Sequence, residues 1–255
     1  MSDQAERART FRALHVRGDP VVLFNIWDPG TATIVAASGA KALATGSKPV
    51  ASAFGYEDGE KMPLDLALDN AERIVASTEL PVSMDLEGGY GVDPDAVART
   101  VTAAMRKGIV GFNLEDQVVG GSGLHETPIQ ARRVAAAVKS AQAVVADAFV
   151  NARTDLFLKT PREAHDAALV DRAVERAKAY ADAGADGFFA PGLADEALIA
   201  RLVEAIDLPL NIIALPGVPP KDRLAALGVA RISWGPVPWR RMAAWLEGEA
   251  KAAFA

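Results

Sequence analysis

Cysteine is absent from the 255 residues, and histidine occurs only three times, at His15, His125 and His165. Without a thiol there is no cysteine nucleophile, thiolate metal site, iron–sulfur cluster or disulfide framework. The histidines stand far apart, with no HxH or HxxxH spacing, so any bound metal is expected on oxygen ligands. Basic residues are in the minority: 27 Lys and Arg against 33 Asp and Glu, a formal net charge of −6. They are scattered, apart from Arg132-Arg133 and Arg240-Arg241. Phosphate backbones need a concentrated basic face, so nucleic acid is not an expected partner. No apolar run approaches the ~18 residues of a membrane span. The first residues, Met1-Ser2-Asp3-Gln4-Ala5-Glu6-Arg7, lack the basic-then-apolar order of an export signal. The expectation is a cytoplasmic protein with no membrane partner.

What the chain does have is alternation. Short apolar runs at 21–24, 42–44, 81–84, 110–114, 149–152, 187–190, 210–214 and 230–234 are followed by helical patterns. The helices are expected over 31–38, 94–107, 128–140, 161–183, 195–205, 220–227 and from 238 onward, with 42–44 leading into a longer connection. The runs are continuously apolar rather than alternating, which suits strands covered by helices on their outer face. Asp93-Pro94, Thr127-Pro128 and Thr160-Pro161 each put a capping side chain before a first-turn proline. Lys107-Gly108 and Ala183-Gly184 supply left-handed stops. Two doubly wound domains would need a linker and a GxGxxG turn; neither is found, since Pro29-Gly30-Thr31 is not that fingerprint. The expectation is an α/β fold, a (β/α)8 TIM barrel, as one domain over 1–255. The alanine-rich tail 242–255 is expected in helix packing or subunit contact.

Polar residues gather at the downstream ends of these runs, where a barrel opens to its active face. They are Asn25 and Asp28, Thr45-Gly46-Ser47, Asp85 and Glu87, Glu115-Asp116, Arg153 and Asp155, Asn211 and Ser233. In Asp85-Leu86-Glu87 the period of a strand would point both carboxylates to one side. Like charges so close call for a cation between them, and an oxygen-only donor set suits Mg²⁺ or Mn²⁺. Gly88-Gly89-Tyr90-Gly91 then permits close approach of a ligand or loop. Arg153 presents a planar fork suited to a carboxylate or enolate; the alternative is a structural salt bridge to a neighbouring acid. Thr45-Gly46-Ser47 has the make-up of an anion-receiving turn. The glycine-rich segment 118–126 could close over a ligand or serve as a plain connection. His125 within it titrates near neutrality and is a candidate proton donor; its alternatives are a solvent-facing ring or a cap for the helix near Pro128.

Together these segments resemble the isocitrate lyase and phosphoenolpyruvate mutase superfamily, from about Phe11 to Met242. The resemblance is carried by Asn25-Ile26-Trp27-Asp28, Thr45-Gly46-Ser47, Gly55-Tyr56-Glu57-Asp58-Gly59, Asp85 to Gly91, Asn113-Leu114-Glu115-Asp116-Gln117, Asn151-Ala152-Arg153-Thr154-Asp155 and 211–217. It implies that Asp85, Glu87, Asp58 and Glu115 surround Mg²⁺, largely through water, with Asp85 closest. It implies that Trp27, Asp28, Thr45, Gly46 and Ser47 line an α-oxocarboxylate site, with Asn211 helping to hold substrate. Arg153 would steady developing negative charge, and Glu115 would sit with it in the catalytic centre. It also implies a homo-tetramer or dimer that exchanges its last helix between subunits. Two departures stand out. The third strand reads DLE where the mutase reads DxD, and the lyases' KKCGH-type loop is replaced by Gly120 to Glu126, without its cysteine or lysine pair. The mutase asparagine is also missing from that loop. The expected activity is a Mg²⁺-dependent lyase or decarboxylase acting on a small α-oxo or 2-hydroxy (di)carboxylate through a pyruvate-like enolate. C–C cleavage would then draw its proton from His125 or Ser122. Phosphonate C–P mutase or hydrolase chemistry and a non-catalytic dicarboxylate-binding barrel are the alternatives.

Overall fold

A computed structural model describes residues 3–255; Met1 and Ser2, the start of the expected domain and of the export-signal reading, lie outside the described residues. Eight parallel strands run β1 (Val21–Leu23), β2 (Leu43–Ala44), β3 (Val82–Asp85), β4 (Gly111–Glu115), β5 (Phe149–Arg153), β6 (Gly187–Phe189), β7 (Leu210–Ile213) and β8 (Arg231–Ser233). From β2 to β8 each strand pairs with the next in sequence, and β1 pairs with β8 in the register Val21–Arg231. Between β1 and β2 a single parallel bridge, Ile26 to Thr45, completes the ring. This is the expected barrel. Every strand occurs at one of the expected, mainly apolar runs, because both strand faces are covered; Asn113, Asn151, Asn211 and Arg231 are among the polar exceptions within them.

The helices are α1 (Asp3–Ala13), α2 (Pro29–Ala37), α3 (Ser47–Ala53), α4 (Leu64–Ala76), α5 (Pro94–Arg106), α6 (Thr127–Val144), α7 (Leu156–Lys159), α8 (Ala167–Asp182), α9 (Glu196–Ala205), α10 (Lys221–Ala226) and α11 (Val237–Phe254). In α5 the buried side chains Val97, Val101, Ala104 and Met105 recur at helical spacing, Asp93 caps the start through the Ala96 N–H at 2.8 Å, and Gly108 ends it at φ 94°. The expected caps at Thr127 and Thr160 do not form. Thr127 is already helical, preceded by Glu126, whose side chain makes no cap bond. The expected helix 161–183 is broken: a 3₁₀ turn at Arg162–Ala164 precedes α8, which is capped by Asp166 through the Leu169 N–H. Nε2 of His165 lies 3.0 Å from the Phe157 carbonyl and 3.1 Å from that of Thr160, drawing the chain away from a helical path. The connection after β2 contains α3 and α4, the latter with Ala67, Leu68, Ala71 and Ile74 buried.

The lower end of the barrel is plugged from α1. Phe11 meets Phe149 edge-on at 5.7 Å, and His15 stacks on Phe149 at 3.9 Å. Gly111 and Gly187 make room for that ring: a Cβ at Gly111 would lie 2.7 Å from the Phe149 carbonyl oxygen, and one at Gly187 3.0 Å from the ring itself. Among the described residues no helix is long and apolar enough to cross a membrane. The last helix, α11, buries only Pro238, and Trp245, Leu246 and Phe254 stand 63%, 54% and 90% exposed.

Candidate active site

At the other end the barrel opens into a cavity of about 470 Å³. Its floor is formed by Asp85 from β3, Asn113 and Glu115 from β4, and Arg153 and Asp155 at the end of β5, with Gly46, Ser47, Asp58 and Glu87 at one side. Arg153 stands at the centre of the acids. Its Nε donates to Asp155 Oδ1 at 2.6 Å, Nη1 lies 3.0 Å from Glu115 Oε2, and Nη1 is also 3.8 Å from Asp85 Oδ2. The salt bridge posed as the alternative is therefore present, and it leaves the guanidinium facing the cavity that it lines. Burial alone would lower the Arg153 pKa, but Glu115, Asp155 and Asp85 together raise it well above its ordinary value. It stays a cation.

The carboxylates are less settled. Burial pushes Glu115 well above the usual carboxylate range against the pull of Arg153. Burial and then the neighbouring Asp85 push Glu87 up to about 7, and the same two causes raise Asp58. Asp85 accepts only long hydrogen bonds, from the Ser47 N–H at 3.3 Å and from Asn113 Nδ2 at 3.4 Å. Its oxygens thus retain acceptor capacity. Among the described residues no three His, Cys, Asp or Glu side chains form a ready metal cage. The donor chemistry nevertheless fits Mg²⁺, which keeps several waters and takes one or two carboxylates directly.

Glu87 reaches the cavity by a route the strand period did not anticipate. β3 ends at Asp85, and Glu87 has left-handed backbone at φ 50°. Its Oε2 accepts the N–H groups of Gly59 and Glu60, both at 2.8 Å. Glu60, also left-handed at φ 57°, returns the contact by accepting the Tyr90 N–H at 2.8 Å. Two loops are thus clasped by exchanged carboxylates, and non-glycine residues in this region of backbone space signal a conformation held by its surroundings. Behind them Arg133, on α6, donates to the carbonyls of Gly88 and Gly91, and Gln130 donates to that of Glu115 at 3.1 Å.

Beneath the floor lies a polar layer instead of the branched apolar residues usual in a barrel. Arg231 is fully buried; its Nη2 donates to Asn113 Oδ1 at 3.2 Å and its Nε to Ser233 Oγ at 3.3 Å. Burial lowers the Arg231 pKa to about 9, opposed by Asp85. Asn151 also donates to Asn113, and Ser233 donates to Asn211.

The expected site residues divide. Gly46, Ser47, Asp58, Asp85, Glu87, Glu115 and Arg153 line one cavity. Thr45 supports it from behind, its hydroxyl accepting the Asp85 N–H at 3.1 Å. Asn211 lies in the buried layer, where it accepts from Ser233. Three others do not line the cavity. Trp27 packs its ring edge-on to Trp239, and its carbonyl accepts from Asn70. Asp28 is the cap of α2, accepting the Thr31 N–H at 2.7 Å. His125 is tied to the scaffold by its backbone: its main-chain N–H donates to the Asp116 carbonyl at 2.8 Å and its own carbonyl accepts from Arg176 at 3.0 Å. Burial lowers its pKa, followed by Arg133 and Arg176. Sequence reasoning missed the roles of Glu60, Arg133 and Arg231. For Arg231 a signal existed, a lone arginine inside the apolar run 229–232.

The sequence profile of phosphoenolpyruvate phosphomutase matches residues 11–254. The chain belongs to the phosphoenolpyruvate phosphomutase family. That family is part of the isocitrate lyase and phosphoenolpyruvate mutase superfamily, and this member has no cysteine. A crystal structure of a Burkholderia cenocepacia J2315 protein provisionally named a phosphonomutase is 46% identical, superimposes at a TM-score of 0.95, and is covered over 99% of its length by 98% of this chain. An uncharacterised Mycobacterium tuberculosis protein is 36% identical over 232 residues, 90% of this chain and 83% of its own. A Corynebacterium glutamicum protein, provisionally named 2-methylisocitrate lyase 2, is 32% identical over 215 residues, 80% of this chain and 66% of its own. The names of phosphoenolpyruvate phosphomutase relatives thus span C–P and C–C chemistry.

Proposed function

We propose that the protein is a Mg²⁺-dependent decarboxylase or C–C lyase of small α-oxo or 2-hydroxy dicarboxylates, working through a pyruvate-like enolate. One observation carries the reading: a guanidinium aligned by Asp155 at 2.6 Å faces a closed floor of oxygen donors, in a chain with no thiol acid. Asp85, with Glu87, Glu115 and Asp58 around it, would hold the ion, and when bound it supplies Lewis-acid stabilisation of charge on the C2 oxygen. Ser47 and Gly46 bring backbone to the substrate carboxylate. As the C3–C4 bond of an oxaloacetate-like substrate breaks, CO₂ leaves and the bond pair becomes the enolate of pyruvate. Arg153 meets the negative charge that grows on the C2 oxygen, an interaction strongest in the transition state. A solvent proton completes C3, so no side-chain acid is required. The acid role considered for His125 is not carried forward, since its ring does not line the cavity.

The test is a Mg²⁺-dependent product screen across oxaloacetate, substituted malates, citrate-type acids and phosphonopyruvate. Pyruvate from oxaloacetate or a malate, with phosphonopyruvate left intact, is the expected result. Turnover of phosphonopyruvate alone would replace the reading by C–P chemistry, and binding without product by a dicarboxylate-binding barrel. We also propose that α11 packs on a second copy, for which its exposed Trp245, Leu246 and Phe254 are the support; a monomer in light scattering would overturn this.

A further inference from the structure

The cavity has a second polar end. Lys48 in the first turn of α3, Lys159 at the end of α7 and Arg240 in the first turn of α11 all line its mouth. All three are exposed, and among the described residues none makes an ion pair or side-chain hydrogen bond. Arg201 and Arg223, exposed cations elsewhere on the surface, instead hold the carboxylates of Asp171 and Glu196. Leu158, Phe189, Ile213 and Leu215 give the same cavity an apolar side, with Phe189 level with Arg153 in the sheet register and Leu158 exposed next to Lys159. The order is therefore Arg153 ringed by acids at the floor, an apolar side, and three exposed cations without an ion-pair contact, of which Lys48 acts at longer range on Asp58.

A ligand matched to that order has two anionic ends separated by carbon. A pyruvate-sized molecule would fill only the floor of a cavity of about 470 Å³, a volume in the range of sites that engulf considerably larger ligands. We propose that Lys48, Lys159 and Arg240 form a distal anion subsite that takes the remote carboxylate of a 2-oxo or 2-hydroxy dicarboxylate, its carbon chain lying against Phe189, Ile213 and Leu215. The proposal rests on the reading of the floor, around Arg153 and Ser47, as the seat of the 2-oxo acid end. Cations at a mouth also raise the local concentration of a dianion and offset the negative floor that it must approach. Three exposed contacts of modest individual strength together amount to about tenfold in affinity.

Calorimetric titration with Mg²⁺ present separates the two ends by using three probes. Oxalate reports on the floor, 2-oxoglutarate on both ends, and 2-oxohexanoate carries the same 2-oxo acid head with a hydrocarbon end. Wild type is expected to bind 2-oxoglutarate more tightly than 2-oxohexanoate. The triple variant Lys48→Ala, Lys159→Ala, Arg240→Ala should lose about tenfold for 2-oxoglutarate and less than twofold for oxalate and 2-oxohexanoate. Equal wild-type affinity for the two long probes, or undiminished 2-oxoglutarate binding by the triple variant, would overturn the subsite. If oxalate fails to bind wild type while 2-oxoglutarate binding still depends on the three cations, the subsite stands and the floor reading falls. If neither acid binds wild type, both are overturned. All three substitutions are at exposed positions, and an unchanged melting temperature confirms that the comparison is between folded proteins.

Discussion

The two ends of the barrel interior treat polar groups in opposite ways. At the lower end His15 is stacked on Phe149 at 3.9 Å, and burial followed by Arg231 drives its pKa down to about 3. It is a neutral ring in an aromatic plug. At the upper end burial acts on acids that remain crowded together, lifting Glu87 to about 7 and Glu115 and Asp58 upward. The lower end resolves its electrostatics by discharging a base. The upper end leaves acids in competition for Arg153, a crowding that a bound cation would relieve.

The contrast is broken most strongly at Arg153. Arg153→Lys keeps the charge and loses the fork held by Asp155, so turnover should fall by roughly 100- to 1000-fold with oxalate affinity reduced; steady-state assays and oxalate inhibition read both. Two acids, half-buried Asp85 and buried Asp116, then sharpen it. Asp85→Asn should weaken Mg²⁺ at least tenfold in calorimetry with little change in melting. Asp116 instead holds the Asp155 N–H at 2.9 Å, the Tyr180 hydroxyl at 2.9 Å and Arg176 at 3.0 Å. Asp116→Asn should therefore cost roughly 3 kcal/mol of stability, leaving Arg176 without its buried partner, while Mg²⁺ affinity stays within twofold.

The pH response isolates Glu87. Its folded pKa of about 7 lies above the ordinary 4.5, so the folded chain binds the proton more tightly than the unfolded one. The resulting stabilisation is complete below pH 4.5 and is lost as pH rises through 7, a change of about 3 kcal/mol. In chelator-treated protein, melting of wild type relative to Glu87→Gln should fall across that window; parallel curves would refute the assignment. At the lower end, Gly111→Ala meets the Phe149 carbonyl at 2.7 Å and should cost about 1–3 kcal/mol without altering Mg²⁺ binding. The smallest effect is expected at His125, where His125→Gln should change turnover less than twofold. A large, selective loss of C–C cleavage would restore the ring as an acid.

The barrel was legible because its strands are covered and so read as mainly apolar runs, as in Gly187-Phe188-Phe189. The floor acids were legible because they follow such runs directly. What escaped depended on contacts between distant segments. Glu60 and Glu87 exchange backbone hydrogen bonds only once two left-handed loops meet, so Asp85 and Glu87 do converge, but not by strand period. His165 interrupts an otherwise helical stretch by turning its ring to the Phe157 and Thr160 carbonyls. Asp28 and His125 stand in the right segments, yet a cap bond and a backbone turn engage them elsewhere.

The single bridge between β1 and β2 has a consequence in time. Asn25 spans that gap, donating from Nδ2 to the Thr45 carbonyl at 2.8 Å, while its Oδ1 accepts from the N–H groups of Trp234 at 3.0 Å and Gly235 at 2.7 Å. Those two donors lie 209 and 210 residues further along the chain. Contacts of such separation must overcome the entropy of closing a long loop before they are rewarded. On the ribosome, Asn25, just after β1, is made 209 and 210 residues before the two donors that it awaits. Until residue 235 has emerged, the ring cannot be fastened.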